Sequence, residues 1–115
     1  FQKNPYKYLK LADIFLFSSK FEGLPNVLLE AQCLKKYIIS SNCPTGPKEI
    51  LLNGLAGELI KIGDYKTMSK KIKFYINNKN KINNKIKVGY KNLNRFDYNY
   101  NMNKYSKVKK KFIYF

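Results

Sequence analysis

Two periods of apolar and polar positions alternate along this chain. Tyr8, Leu11 and Ala12 follow Asn4, a candidate cap, and Pro5 at a first helical position, so residues 5–11 read as a short helix. "DIFLFSS" (13–19) is a compact apolar run without polar alternation, the pattern of a strand buried on both faces of a parallel sheet. "KFEGLP" (20–25) is loop chemistry. In residues 25–36, Val27, Leu28, Ala31 and Leu34 fall at helical spacing, with Pro25 near the start. "YIISS" (37–41) predicts a second buried strand, "NCPTGP" (42–47) a loop, and "PKEILLNG" (47–54) a short helix ending on Gly54. "GELIKI" (57–62) is a weaker third strand.

The second half of the chain is helical in pattern. Asp64 reads as an N-cap, followed by a stripe of Met68, Ile72, Tyr75 and Ile76. The polar tract at 77–85 suggests a surface turn leading into a helix whose face is Ile82, Ile86, Tyr90 and Leu93. From Asp97 a last helix carries Tyr98, Met102, Tyr105, Lys109 and Phe112 on one side. Helices alternating with short buried strands specify an α/β fold with a narrow parallel sheet. Such sheets bind ligands outside the carboxyl ends of their strands, so the loops at 19–25 and 42–47 belong on one edge.

Composition adds limits. The chain has 115 residues and is 44% hydrophobic, enough for one domain with a modest core. It begins at Phe1 in patterned sequence, with no leader-like segment and no apolar run long enough to span a membrane. It therefore reads as soluble and as a piece of something longer. Residues 1–60 carry seven Lys against five acids. Residues 61–115 carry fifteen Lys and Arg95 against Asp64 and Asp97. This basic half has two readings: an anionic partner such as nucleic acid or a membrane surface, or a solvated face produced by AT-rich coding. A single Arg argues against specific nucleic-acid recognition, which favours the planar guanidinium fork. Cys33 and Cys43 form no CxxC and the chain has no His, which points away from a metal centre and from His-dependent catalysis. Two unpaired, buried thiols suit a reducing cytoplasm.

The chemistry concentrates in "FEGLPNVLLEA" (21–31). Its two acids, Glu22 and Glu30, stand eight positions apart around a strand-to-helix turn. A helix start offers unpaired N–H groups and the positive end of a dipole, and Gly23 lets a ligand approach the backbone, so the turn suits a phosphate or diphosphate. Glu30, on the margin of the apolar face, can accept from a vicinal diol such as ribose. It can equally be a structural carboxylate paired with a Lys or with backbone N–H groups. The turn itself can likewise be a plain connection.

"SSKFEGLPNVLLEA" followed by "YIISSNCPTGPKEILLNGLAGELIKIGD" resembles the retaining glycosyltransferases of family 4, also called group 1. The shared pattern is E-G-x-P-N-x-x-x-E-A after a strand ending in Ser, then an apolar strand, a Pro/Gly loop and a G-D stretch, and it covers about residues 4–76. The resemblance implies a GT-B architecture of two Rossmann-like domains with the active site between them. Residues 1–96 would be part of the carboxyl-terminal, donor-binding domain, and residues 97–115 a basic, aromatic helix docking on the missing amino-terminal domain of the same enzyme. Glu22 would be catalytic, meeting the donor sugar near its reacting carbon. Gly23, Leu24, Pro25, Asn26 and Val27 would face the sugar and diphosphate, and Glu30 would hold the ribose.

The resemblance implies no metal and no other cofactor. The expected partners are a nucleotide-sugar donor, specifically a UDP-sugar, and a glycan or lipid-linked acceptor. The implied reaction is transfer of a hexose or N-acetylhexosamine with retention, in bacterial polysaccharide biosynthesis. The expected place is the cytoplasm, with peripheral contact with an anionic membrane. "NCPTGP" would support the "FEGLPN" turn from beside it, and Glu49 would cap its own helix or a neighbouring loop. The isolated piece would be inactive, since it supplies one wall of a cleft. The competing readings are a Lys-rich binding module for nucleic acid or anionic membrane, and an inactive truncated fragment.

Overall fold

The computed structural model describes residues 1–97. Helix α1 (Tyr6–Leu11) leads into β1 (Ile14–Phe17), then α2 (Asn26–Cys33), β2 (Tyr37–Ser41) and α3 (Pro47–Ile50). A 3-10 turn (Leu52–Gly54) precedes β3 (Glu58–Ile60), α4 (Tyr65–Asn77), α5 (Lys79–Lys91) and a second 3-10 turn (Leu93–Phe96). The expected aromatic helix from Tyr98 to Phe112 lies outside the described residues.

The strands form one parallel sheet in the order β1-β2-β3. Ile14 to Phe17 pair in register with Tyr37 to Ser40, and Ile39 to Ser41 with Glu58 to Ile60. Period-two alternation along β2 divides the core in two. Ile38 packs with Phe17, Leu28, Ala31, Cys43, Ile50 and Leu51 under α2 and α3. Tyr37 and Ile39 pack with Ile60 and Ile82, against Met68, Ile72 and Tyr75 of α4 and Ile86 of α5. The sheet is thus covered on both faces, with α4 and α5 sharing one of them. This is an α/β, Rossmann-like half-domain. A partly buried carboxylate ties the second layer down: Glu58 accepts from Tyr37 Oη at 2.9 Å and pairs with Lys71 Nζ at 3.1 Å and Lys85 Nζ at 3.0 Å. Tyr75 stacks on Tyr37 with ring centroids 5.4 Å apart.

Several expectations change. Among the described residues β2 is the strand buried throughout; β1 pairs with β2 on one side, and its Leu16 is 47% exposed. Helix α2 stops at Cys33 instead of continuing to residue 36. Lys36 N–H donates to the Ala31 carbonyl and Lys35 N–H to Gln32, with Lys35 in the left-handed region at φ 54°. That is a Schellman ending without the usual glycine. The helix predicted over 47–54 is broken after Ile50, where Leu52 and Asn53 take positive φ.

The polar tract at 77–85 is mostly helix, interrupted only at Asn78, because Lys and Asn can line the outer face once Ile82 is buried. Ile76 is exposed rather than part of the packed stripe, and Tyr90 is half exposed. Cys33 is exposed at the end of α2, and only Cys43 is buried. Asp64 caps α4 as expected, accepting from Thr67 N–H at 3.0 Å. Among the described residues no helix is long and apolar enough to cross a membrane.

Candidate functional site

Parallel pairing of β1 with β2 carries the loops that follow them to one edge of the sheet. There the two loops are bonded together. Ser41 Oγ, closing β2, donates to the Ser19 carbonyl at 2.5 Å, and Thr45 Oγ1 donates to the Glu22 carbonyl at 2.7 Å. Gly46, at φ 83°, lies directly on the first loop. A Cβ there would stand 2.2 Å from the Gly23 carbonyl oxygen and 2.4 Å from Pro25 Cδ. Only a glycine lets the backbones approach so closely in this conformation. The "NCPTGP" loop therefore braces the "FEGLPN" turn, as its position on the edge had indicated. Glu49 lies exposed in the first turn of α3, where its backbone carbonyl accepts from Arg95 Nη2 at 3.2 Å.

Braced in this way, the first loop presents its acid outward. Glu22 is exposed, and Ser19 Oγ donates to its Oε1 at 3.0 Å. Gly23 has open space where a side chain would be, and Leu24 is about half exposed. Pro25 is buried and begins α2, its carbonyl accepting from Leu28 N–H at 3.0 Å. No side chain caps this helix among the described residues, so the N–H groups of Asn26 and Val27 stand at its positive end.

Glu30 follows one turn later on the same helix face, three residues after Val27 and four after Asn26. Its partner is neither a Lys nor a backbone N–H. Tyr6 Oη, from α1, donates to Glu30 Oε1 at 3.2 Å. That bond, together with the carboxylate's charge, raises the Tyr6 pKa above its ordinary value. Val27 and Glu30 line a recess between α1 and α2 with Tyr6, Tyr8, Leu9 and Phe15. The predicted residues thus fall into two adjoining groups. Glu22, Gly23, Leu24 and Pro25 stand on the braced loop, Val27 and Glu30 stand beside α1, and exposed Asn26 is the junction.

Sequence reasoning missed the supports: Ser19, Thr45, Gly46 and Tyr6. Ser19 was legible as Ser-x-x-Glu, a spacing at which a hydroxyl reaches a nearby acceptor within a turn. Tyr6 was not, because it meets Glu30 from a separate element. It also missed Lys20 and Lys61, which line a second recess on this edge with Ser18, Ser41 and Asp64. Both follow closely on the carboxyl end of a parallel strand, the position where such sheets meet ligands. Among the described residues no three His, Cys, Asp or Glu side chains converge as a metal site.

The chain has recognisable relatives. A family model described as glycosyl transferases group 1 matches residues 1–92. An uncharacterized glycosyltransferase of Methanocaldococcus jannaschii is 56% identical over 50 residues, which is 44% of this chain and 12% of the relative. The N-acetylgalactosamine-N,N'-diacetylbacillosaminyl-diphospho-undecaprenol 4-alpha-N-acetylgalactosaminyltransferase of Campylobacter jejuni is 28% identical over 92 residues, 80% of this chain and 24% of the relative. The chain therefore spans a quarter or less of the length of these curated relatives. The crystal structure of Anabaena HepE in complex with UDP superposes with a TM-score of 0.76 at 18% identity, covering 90% of this chain and 29% of that one. That likeness shows the fold, the GT-B type of half-domain.

Proposed function

Because this chain belongs to the group 1 glycosyl transferases, we propose that it forms the donor-binding wall of an enzyme that transfers a sugar from a nucleotide sugar. The observation that carries this reading is the braced turn. Gly46 packs on the Gly23 carbonyl, and this holds Glu22 and the start of α2 on one sheet edge. A carboxylate, a close-approach backbone and a helix start then follow one another over a few residues, in the order sugar, diphosphate and ribose would need.

In this reading Glu22 accepts from donor-sugar hydroxyls near the reacting carbon. The N–H groups around Gly23, Leu24, Asn26 and Val27 meet the diphosphate; Pro25 has no donor and sets the turn. As the bond between sugar and diphosphate breaks, charge grows on the diphosphate, and preorganised N–H dipoles stabilise it. Lys20 and Lys61 add positive charge at the same edge. Glu30 takes the ribose hydroxyls once Tyr6 releases it. The UDP of the Anabaena structure supports a uridine nucleotide as carrier. The Campylobacter relative's name supports an N-acetylhexosamine or hexose passed to a glycan on a lipid carrier.

Residues 1–96 are then part of a carboxyl-terminal domain, and 97–115 a segment reaching toward an amino-terminal domain that completes the cleft. Transfer proceeds with retention, in the cytoplasm, and residues 1–115 alone turn over no donor.

The test is Glu22→Gln and Glu30→Ala in the enzyme that carries this chain, with transfer from a UDP-sugar as the readout. Glu22→Gln is expected to lower kcat by about 100-fold or more. Glu30→Ala is expected to raise the donor KM by about tenfold, as loss of hydrogen bonds from a charged acceptor would. Both variants should keep the wild-type circular dichroism. Unchanged turnover in both would sink the reading.

A further inference from the structure

Between Tyr65 and Lys91 the chain has nine lysines and no acid. Two of them, Lys71 and Lys85, turn inward to Glu58. The other seven, at 66, 70, 73, 79, 81, 87 and 91, are exposed among the described residues. Their order is regular. Lys66, Lys70, Lys73 and Asn77 run at i, i+4, i+7 and i+11 along α4, and Asn80, Asn84, Lys87 and Lys91 repeat that spacing along α5. Both helices pack on the same sheet face, through Met68, Ile72, Tyr75, Ile82 and Ile86. Their outer lines therefore look away from the sheet on one side of the molecule.

Solvated lysines alone would not distinguish this face. The apolar residues among them do. Phe74 flanks the α4 line on one side, and Ile76 and Tyr65 flank it on the other. They are 46%, 61% and 74% exposed, although the helix already packs Met68, Ile72 and Tyr75 against the sheet. Lysines bordered by exposed Phe and Ile are the composition of a helix that rests in a membrane interface. An anionic surface complements the charge, and each Lys near it strengthens partitioning by roughly fivefold. The face carries no Arg, so the planar fork that reads phosphates and bases is absent.

We propose that the outward face of α4 and α5 is a landing surface for an anionic lipid bilayer. Its exposed lysines attract the surface, and Phe74 and Ile76, one on each flank of the lysine line, border the contact at headgroup level. Asp64, the cap of α4, lines the recess at the carboxyl edge of the sheet. A bilayer on this face would lie beside the edge that carries the two loops.

The experiment is cosedimentation of the full 115-residue chain with two kinds of vesicle. One is phosphatidylcholine alone, and the other contains about 30 mol% phosphatidylglycerol. Two variants accompany the wild type: Phe74→Ser with Ile76→Ser, and Lys66→Gln with Lys70→Gln and Lys73→Gln. All five positions are exposed, so both variants should fold, and circular dichroism checks this. The expected result is binding to the anionic vesicles only, weakened about tenfold by the first variant, which keeps every charge, and at least as much by the second. Three results would each overturn the proposal: equal binding to both vesicle types, anionic binding unchanged in the Phe74/Ile76 variant, or displacement from vesicles by an equal phosphate concentration of single-stranded oligonucleotide.

Discussion

Replacing Gly46 with Ala attacks the contact on which the site geometry depends. The new Cβ would lie 2.2 Å from the Gly23 carbonyl oxygen and 2.4 Å from Pro25 Cδ, where carbon contacts relax only near about 3.5 Å. Neither neighbour can swing aside, since one is backbone and the other a proline ring. The loops would have to part by more than about 1 Å to restore that separation. Two costs combine. An L-residue at φ 83° is disfavoured by about 1–2 kcal/mol. Overpacking of a well-fitted contact adds about 1–3 kcal/mol.

The expected loss is therefore about 2–5 kcal/mol, against the roughly 5–15 kcal/mol that hold a small domain together. Urea unfolding of the chain measures it as a lower midpoint at unchanged slope. Hydrogen exchange should localise the opening to residues 19–25 and 43–46. Gly23→Ala is the control: nothing lies within 4 Å of its Cβ and it does not take positive φ. That variant should stay within about 0.5 kcal/mol of wild type, as unconstrained surface changes do. A Gly46→Ala chain equally close to wild type would refute the argument that this contact braces the turn.

Other substitutions test separate links. Lys35→Gly puts glycine at the left-handed end of α2 and should stabilise the chain by about 0.5–1 kcal/mol, seen as a higher urea midpoint; the gain is held down by losing the Lys35 contact with the Tyr90 ring. Tyr6→Phe frees Glu30 and, on the proposed role, should lower the donor KM by about two- to fivefold without changing kcat; a higher KM would mean that Tyr6 orients the carboxylate instead. The Tyr37–Glu58 pair sets both ends of the pH profile. Burial, then the bond to Glu58, raises the Tyr37 pKa, so the unfolded chain ionises this tyrosine first and stability falls from about pH 10 upward, by as much as about 1.4 kcal/mol per pH unit. Tyr37→Phe should remove that slope; urea midpoints of the two chains that stay parallel above pH 10 would contradict it. Burial also pushes the Glu58 carboxyl up, but hydrogen bonds from Lys85, Tyr37 and Lys71 outweigh it and the net shift is downward. Its contribution is therefore present above the ordinary carboxylate range and lost as pH falls below about 4, and Glu58→Gln should flatten that acid limb.

Much of this molecule was written in its residue order. The apolar runs at 14–17 and 37–41 and the helical stripe from Met68 to Tyr75 mark elements because burial is periodic in a helix and a strand. Asp64 marks the start of α4 because a carboxylate three residues ahead reaches a free N–H. The parallel α/β alternation then placed two loops on one edge without any knowledge of contacts. The family pattern in "FEGLPNVLLEA" was equally local, since its acids, glycine and proline lie within one turn and one helix start.

Tertiary structure decided what depends on meetings between distant segments. That Glu30 bonds Tyr6, 24 residues away, required α1 to fold back across α2. Gly46 is necessary because of where Gly23 and Pro25 lie, not because of its own neighbours in sequence. The lysines at 71 and 85 look the same in sequence as those at 70 and 87, yet the first two reach the partly buried Glu58 and the others face outward. Charge is read from composition, but the partner each charge meets is set by packing, because pairing depends on a few ångströms that only the assembled sheet and helices fix.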